Sequence, residues 1–151
     1  MIESIVLAGA LLAGPATAGT AVIEQAQAAA SAIPKVWRPF ADCVAKRESN
    51  GNPRARNPVS SAQGKWQFLD GPWRVHGGIE WIVLRQLKKH GVSWPQRSKV
   101  YDRLSITPIY RWPGWAQDAA FVGVVTERRT GWRHWSLPGH RCQSLLPAVA
   151  A

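Results

Sequence analysis

WRPFADCVAKRESNG, residues 37–51, is the stretch from which the fold can be worked out. Within it, Trp37, Ala41, Val44 and Glu48 recur at spacings of four, three and four residues, so they share one face of a helix. Pro39 is tolerated only in the first turn of a helix, which places the helix start close to it. The pattern therefore predicts a helix over residues 37–49.

The end of this helix makes Glu48 a candidate general acid. Asn50 and Gly51 supply the stop, and Gly51 suits a left-handed cap. Glu48 then lies in the last turn on the core-facing side, where the negative end of the helix dipole and partial burial both favour the protonated carboxyl. Arg47 is expected to point off that face. The alternative is an ordinary exposed surface glutamate.

A polar and aromatic run follows the helix. The dipeptides Asn52-Pro53 and Asn57-Pro58 mark turns, and the sequence SSAQGKWQF (residues 60–68) indicates a short irregular hairpin. Asn, Ser and Gln side chains can hydrogen-bond hydroxyl and acetamido groups, and Trp66 can offer an apolar face. A polar loop without a binding role is the alternative.

The remainder of the chain is predicted to be helical. Apolar periodicity predicts a helix of about twelve residues from position 79, stopped by Gly91, and a second short helix opened by Trp94-Pro95. Residues 115–130 read as a long buried helix that ends at Gly131. The predicted fold class is α+β, mainly α, with one small β-hairpin.

These segments resemble the transglycosylase-like domain of the resuscitation-promoting factors, and they are similar to soluble lytic transglycosylases of the lysozyme superfamily. The resemblance rests on ESNGN (48–52), Asn57, Gly64, Gln67-Phe68, Trp73, GWRHW (131–135) and Cys142. It covers roughly residues 37–78 and 115–142. Asn50 replaces the usual first glycine after the serine, and Cys43 lies five residues before Glu48 rather than next to it.

The resemblance implies a lysozyme-like fold with the hairpin beside a catalytic cleft. It makes Glu48 the catalytic residue. The implied substrate-binding residues are Ser49, Asn57, Ser61, Gln63, Trp66, Gln67 and Trp73. The implied domain spans residues 33–143, with residues 79–113 as a probable insertion and residues 144–151 as a short tail.

Most glycosidases use two carboxyl groups about 5 to 10 Å apart. The candidates for a second group here are Asp70, Glu80, Asp102, Asp118 and Glu127, and none of them lies in a motif that resembles a second catalytic acid. Lytic transglycosylases act with one glutamate. The expected activity is therefore lytic cleavage of the β-1,4 bond between N-acetylmuramic acid and N-acetylglucosamine in peptidoglycan. The alternatives are a hydrolytic muramidase and a non-catalytic cell-wall-binding or structural module.

The amino-acid composition limits the classes of binding partner that can be expected. The chain of 151 residues carries 19 Lys and Arg against 9 Asp and Glu, a net charge of +10, and nine Trp. Such a surface attracts polyanions, so an anionic cell-wall polymer is an expected partner beside the glycan strands. No nucleic-acid-binding motif is present, so a specific nucleic-acid partner is not expected. No cofactor is expected. No metal is expected either, because His134 and His140 show no repeated ligand spacing.

The first 32 residues differ from the rest. They are apolar and rich in Ala and resemble a secretory signal, but they lack a basic n-region, so an Ala-rich tail or weak helix is the alternative. The apolar run is too short for a confident membrane span. A disulfide between Cys43 and Cys142 would suit an exported protein, and two free buried thiols are the alternative. The expected location is secreted or cell-wall associated, or else a phage particle or phage-encoded lysin.

Overall fold

Five α-helices and one two-stranded sheet make up the described part of the chain. The computed structural model describes residues 15–70, 78–128, 131–135 and 141–150. The helices are α1 (Pro15–Ser31), α2 (Arg38–Ser49), α3 (Ile79–Lys89), α4 (Trp94–Ser105) and α5 (Gly114–Glu127). Strands β1 (Ala62–Gln63) and β2 (Phe68–Leu69) pair antiparallel. Short 3₁₀ turns are Lys35–Trp37, Ile109–Arg111, Gly131–Trp135, Arg141–Leu145 and Ala148–Ala150. The predicted mainly α class with a small hairpin is confirmed.

The two ends of α2 follow from the sequence. Pro39 lies in the first turn, where its missing N–H is not needed. Asn50 and Gly51 are both left-handed, with φ of 53° and 77°. Their N–H groups donate to the carbonyl oxygens of Lys46 and Ala45, which satisfies two acceptors at the helix end. Asn50 thus takes the conformation for which a glycine is usual.

Helix α5 is the centre of the fold. It is apolar around almost its whole circumference, with Ala116, Ala120, Phe121 and Val124 all fully buried, as expected of a helix covered on every side. Helix α3 packs directly against it at Gly123, where an added Cβ would lie 2.2 Å from a methyl group of Ile82. Only glycine permits this approach of the two helices.

Helix α1 contributes to the same core. Ala26 and Ala30 lie one turn apart and are 5% and 1% exposed, in the surface that α1 shares with α5 and α3. Residues 15–31 of the signal-like or Ala-rich segment are therefore helical, and residues 1–14 lie outside the described residues. Among the helices that the structure describes, none is long and apolar enough to cross a membrane.

The end of α5 is tied to α3 by Glu127. Its carboxylate accepts hydrogen bonds from Gln86 at 2.5 Å and Arg85 at 2.9 Å, and Lys89 lies 2.7 Å away. Burial works against ionisation of this carboxyl, but Lys89 and Arg85 outweigh it and hold the pKa of Glu127 below its usual value. The cluster fixes where α5 ends, just before the turn that closes the candidate site.

Cys43 in α2 and Cys142 in the Arg141–Leu145 turn form a disulfide, with Cα atoms 5.6 Å apart. The predicted pairing is confirmed. Because the two cysteines are 99 residues apart in sequence, the bond holds the end of the described chain against the helix that carries Glu48.

An aromatic cluster around Phe121 joins the pieces that surround Glu48. Phe121 stacks on Trp66 with ring centroids 3.9 Å apart, contacts Trp135 at 5.0 Å and stacks on Phe40 at 6.5 Å. These partners come from the hairpin, from the Gly131–Trp135 turn and from α2. The cluster therefore sets the relative positions of the three segments on which the resemblance rests.

Candidate active site

A cavity of about 100 Å³ opens beside the last turn of α2. Its lining comes from three segments. Helix α2 contributes Glu48, the hairpin contributes Gln67, Phe68 and Leu69, and the Gly131–Trp135 turn contributes His134 and Trp135. The Glu48 side chain is 24% exposed, so most of it is shielded while its carboxyl still faces the cavity. Among the described residues that line this cavity, Glu48 is the one carboxyl.

Arg47 contradicts its predicted direction. Its guanidinium donates to Oε1 of Glu48, with Nη2 at 2.5 Å and Nε at 3.0 Å, rather than pointing away from that face. The same Nη2 donates to the carbonyl oxygen of Trp135 at 2.9 Å. A long side chain can bend back along the helix when it gains two hydrogen-bond acceptors. Helical geometry alone does not show the second acceptor, the carbonyl oxygen of Trp135, because that residue lies outside the helix. The resting site is therefore an ion pair and not an isolated acid.

Gln67 lies in an uncommon conformation. Its φ is +50°, in the left-handed region that residues other than glycine rarely adopt. Its backbone N–H and its Nε2 both donate to the carbonyl oxygen of Gly64, at 3.2 and 3.0 Å, which closes the tip of the hairpin. Strained positions of this kind cluster at functional sites. The resemblance implies that Gln67 binds the substrate, and the structure brings Gln67 and Glu48 to the same cavity.

Ser49 holds the hairpin to α2. Its hydroxyl oxygen lies 2.7 Å from the carbonyl oxygen of Lys65 and 3.3 Å from that of Ala45. The hydroxyl is therefore engaged within the protein and sets the distance between Glu48 and the hairpin. This is a positioning contact, whereas the sequence assigned Ser49 to the substrate.

Trp66 is not available to a ligand, and this corrects its assignment as a sugar-stacking residue. It is 1% exposed because Phe121 covers its face. Its indole N–H donates to Oδ1 of Asp118 at 2.9 Å, and Lys65 binds the same oxygen at 3.0 Å. Asp118, one of the candidates for a second catalytic carboxyl, thus connects α5 to the hairpin.

The other polar residues of the hairpin lie apart from the cavity. Asn57 accepts the N–H of Val59 at 2.9 Å in a side-chain turn. Gln63 donates to Asp70 at 3.1 Å, and the main-chain oxygen of the exposed Ser61 accepts the N–H of Asp70. None of these lines the cavity with Glu48. Trp73 lies outside the described residues.

His134 and Trp135 are cavity residues that the sequence analysis did not assign to the site. Trp135 is buried, and its indole N–H donates to the carbonyl oxygen of Trp66 at 2.8 Å. The His134 ring packs edge-on against Trp135, with centroids 5.9 Å apart. His134 is exposed as a whole, but partial burial of its ring lowers its pKa below the usual value, and the charge of Arg128 adds to this. The GWRHW motif was the available signal, but its spacing could not show that the turn reaches α2.

A larger cavity of about 690 Å³ lies among α1, the end of α3, α4 and the start of α5. No acidic side chain is among the described residues that line it, so it offers no acid for glycan cleavage. The smaller cavity is the candidate active site because catalysis depends on a placed acid and not on volume.

Within the described residues, no group of three His, Cys, Asp or Glu side chains is placed to hold a metal ion. Comparison of the chain with protein-family models, with curated proteins and with solved structures gives no match. The residues of the cavity and the contacts that place them are therefore the features that indicate a function.

Proposed function

We propose that the chain is a lytic transglycosylase that cleaves the β-1,4 bond between N-acetylmuramic acid and N-acetylglucosamine in peptidoglycan. The observation that carries this proposal is the place of Glu48 as the one carboxyl among the described cavity residues. The cavity is built from the end of α2, the hairpin and the Gly131–Trp135 turn. These are the segments whose sequences resemble the transglycosylase family, and a lysozyme-like arrangement of them is part of the proposal.

One carboxyl can perform both proton transfers. Glu48 donates its proton to the glycosidic oxygen as the bond from C1 of the muramoyl ring breaks. The resulting carboxylate then accepts the proton of the 6-hydroxyl of the same ring, and O6 bonds to C1. The product is an anhydro sugar, no water is consumed, and Glu48 ends protonated, as it was when the glycosidic bond began to break. Hydrolysis through two carboxyls would need a second one about 5 to 10 Å away.

The contact with Arg47 sets a condition on this reaction. The guanidinium of Arg47 occupies Oε1 of Glu48 in the resting site. Cleavage therefore requires the glycan to take the place of Arg47 at this oxygen and Glu48 to take up a proton from water before the glycosidic bond breaks. The carbonyl oxygen of Trp135 gives the guanidinium a second acceptor, 2.9 Å away, that it retains when it leaves Glu48.

The test compares E48Q with E24Q on purified peptidoglycan. Glu24 is an exposed residue of α1, so E24Q makes the same chemical change away from the cavity. We expect E48Q to clear the substrate at least about 100-fold more slowly, since a positioned acid contributes about 10²–10⁴-fold. E24Q should match the wild type. Clearing by E48Q at the rate of E24Q would refute the assignment of Glu48.

The masses of the released fragments test the mechanism separately. Anhydro products are one water lighter than hydrolysis products. If the wild-type fragments carry the additional water and E48Q is inactive, Glu48 is still the acid, but the enzyme is a hydrolytic muramidase and not a transglycosylase.

The net charge of +10 supports a second candidate, a module that binds an anionic wall polymer without cutting it. Capture on insoluble peptidoglycan and on DNA at raised salt distinguishes it from a nucleic-acid binder, because phosphate-driven complexes weaken steeply with salt. Stable capture on peptidoglycan without soluble fragments would favour this module. The disulfide supports a location in an oxidising compartment or a particle outside the cytosol, in keeping with a cell-wall partner.

A further inference from the structure

The groove of about 690 Å³ combines an apolar floor with a basic edge. Ile23, Val100 and Trp115 in its lining are half-buried and form the accessible floor, and Leu87, Val92 and Leu104 are buried in the same lining. Its volume lies within the range of about 300–1,000 Å³ that is typical of sites for small molecules. The groove is far larger than the Glu48 cavity and shares no lining residue with it.

The basic edge comes from α4. Lys99 and Arg103 both line the groove and are exposed, and they lie one helical turn apart, so they share a face of the helix. Neither makes an ion pair with a carboxylate in the part of the chain that the structure describes. Two positive side chains without a carboxylate partner thus lie beside apolar side chains. This arrangement repels a positively charged ligand and attracts an anionic one.

We propose that this groove binds a single-chain lipid with a phosphate head. The hydrocarbon chain would lie on the apolar floor, which removes both surfaces from water. Lys99 and Arg103 would bind the head, since a phosphate presents several charged oxygens to two cations at once and Arg binds such oxygens in pairs. A neutral apolar ligand would not need the two charges, and a polynucleotide would not need the floor. The proposal is independent of the proposed cleavage of peptidoglycan.

Titration calorimetry tests the inference with three probes below the micelle concentration. Dodecyl phosphate supplies chain and head, dodecanol the chain alone, and inorganic phosphate the head alone. We expect dodecyl phosphate to bind at one saturable site, at least tenfold more tightly than either fragment. Near-UV circular dichroism must remain unchanged during the titration, because unfolding by the surfactant would also release heat.

Two variants locate the site. K99Q/R103Q should weaken binding of dodecyl phosphate at least tenfold, whereas K46Q/R54Q, which removes the same charge at exposed positions outside the groove, should not. V100W fills the floor and should weaken binding by a similar factor. Equal binding of inorganic phosphate, loss of binding in K46Q/R54Q, full binding by V100W or no binding at all would each overturn the proposal.

Discussion

Gln117 is the residue whose replacement tests the reasoning about this fold most directly. It lies in the apolar helix α5 and is fully buried. Its Oε1 accepts the N–H of Lys65 at 2.8 Å, and its Nε2 lies 3.0 to 3.2 Å from the carbonyl oxygens of Pro53, Ile109 and Trp112. One side chain thus ties α5 to the hairpin, to the loop after α2 and to the Ile109–Arg111 turn. Q117L keeps much of the volume and removes all of these bonds.

The magnitude follows from counting the bonds. The amide has two N–H groups and one oxygen, so about three hydrogen bonds are lost although four contacts exist. The carbonyl oxygen of Ile109 retains the N–H of Trp112 at 2.9 Å. Each bond contributes about 1 kcal/mol to the free energy of unfolding, and more where its partner is left buried without a hydrogen bond. The loss of three bonds therefore costs about 3–4 kcal/mol. The apolar leucine recovers roughly 1 kcal/mol. We therefore expect a loss of about 2–3 kcal/mol.

Urea unfolding followed by tryptophan fluorescence measures this loss. With a urea dependence of about 1–3 kcal/mol per molar, the midpoint should fall by about 0.7–3 M. Q25L is the matched control, because Gln25 is exposed on α1 and surface changes usually stay within about 0.5 kcal/mol. A midpoint for Q117L within error of Q25L would refute the role of Gln117. The proposed cleavage of peptidoglycan should fall as well, since the hairpin carries Gln67.

Three other changes have defined outcomes. C43A/C142A should lose up to about 4–5 kcal/mol in urea, because the disulfide closes a loop with a sequence separation of 99, and its midpoint should no longer respond to reductant. G131A should lose roughly 2 kcal/mol or more in thermal unfolding while G114A does not, since a Cβ at Gly131 would lie 2.0 Å from a carbonyl oxygen of α5 and one at Gly114 meets nothing. The lowered pKa of His134 means that, as pH falls below about 6.5, the unfolded chain takes up a proton that the folded chain resists. The wild type should therefore lose more stability than H134Q between pH 7.5 and 5, and equal losses would contradict this.

Local rules predicted the elements well. The spacing of apolar residues, with Pro39 at one end and Asn50-Gly51 at the other, predicted α2 to within one residue of its observed bounds. Helices α3, α4 and α5 start within one residue of their predicted positions for the same reason. Each of these signals acts over fewer than about fifteen residues, where periodicity and capping decide the outcome before tertiary contacts do.

The environment of individual side chains could not be predicted in the same way. Trp66 was expected to face a ligand because it stands in a polar run, but Phe121 from α5 covers it and Asp118 satisfies its N–H. Arg47 was expected to point away, but Trp135 offers it an acceptor 88 residues along the chain. Both outcomes depend on partners distant in sequence, which residue spacing does not encode.

The same distant partners explain why the candidate site is small and contains one acid. Ser49 fixes the hairpin to α2, Gln117 fixes it to α5, and the indole of Trp135 donates to the carbonyl oxygen of Trp66 inside it. Each contact brings Gln67 or His134 closer to Glu48 without adding a carboxylate. In the described part of the chain, two other acids belong to this framework: Asp118 is bound by Lys65 and Trp66, and Asp70 accepts a hydrogen bond from Gln63. A carboxylate held by a cation and an indole, such as Asp118, is poorly placed to activate water, which supports the proposed internal attack by the sugar hydroxyl over hydrolysis.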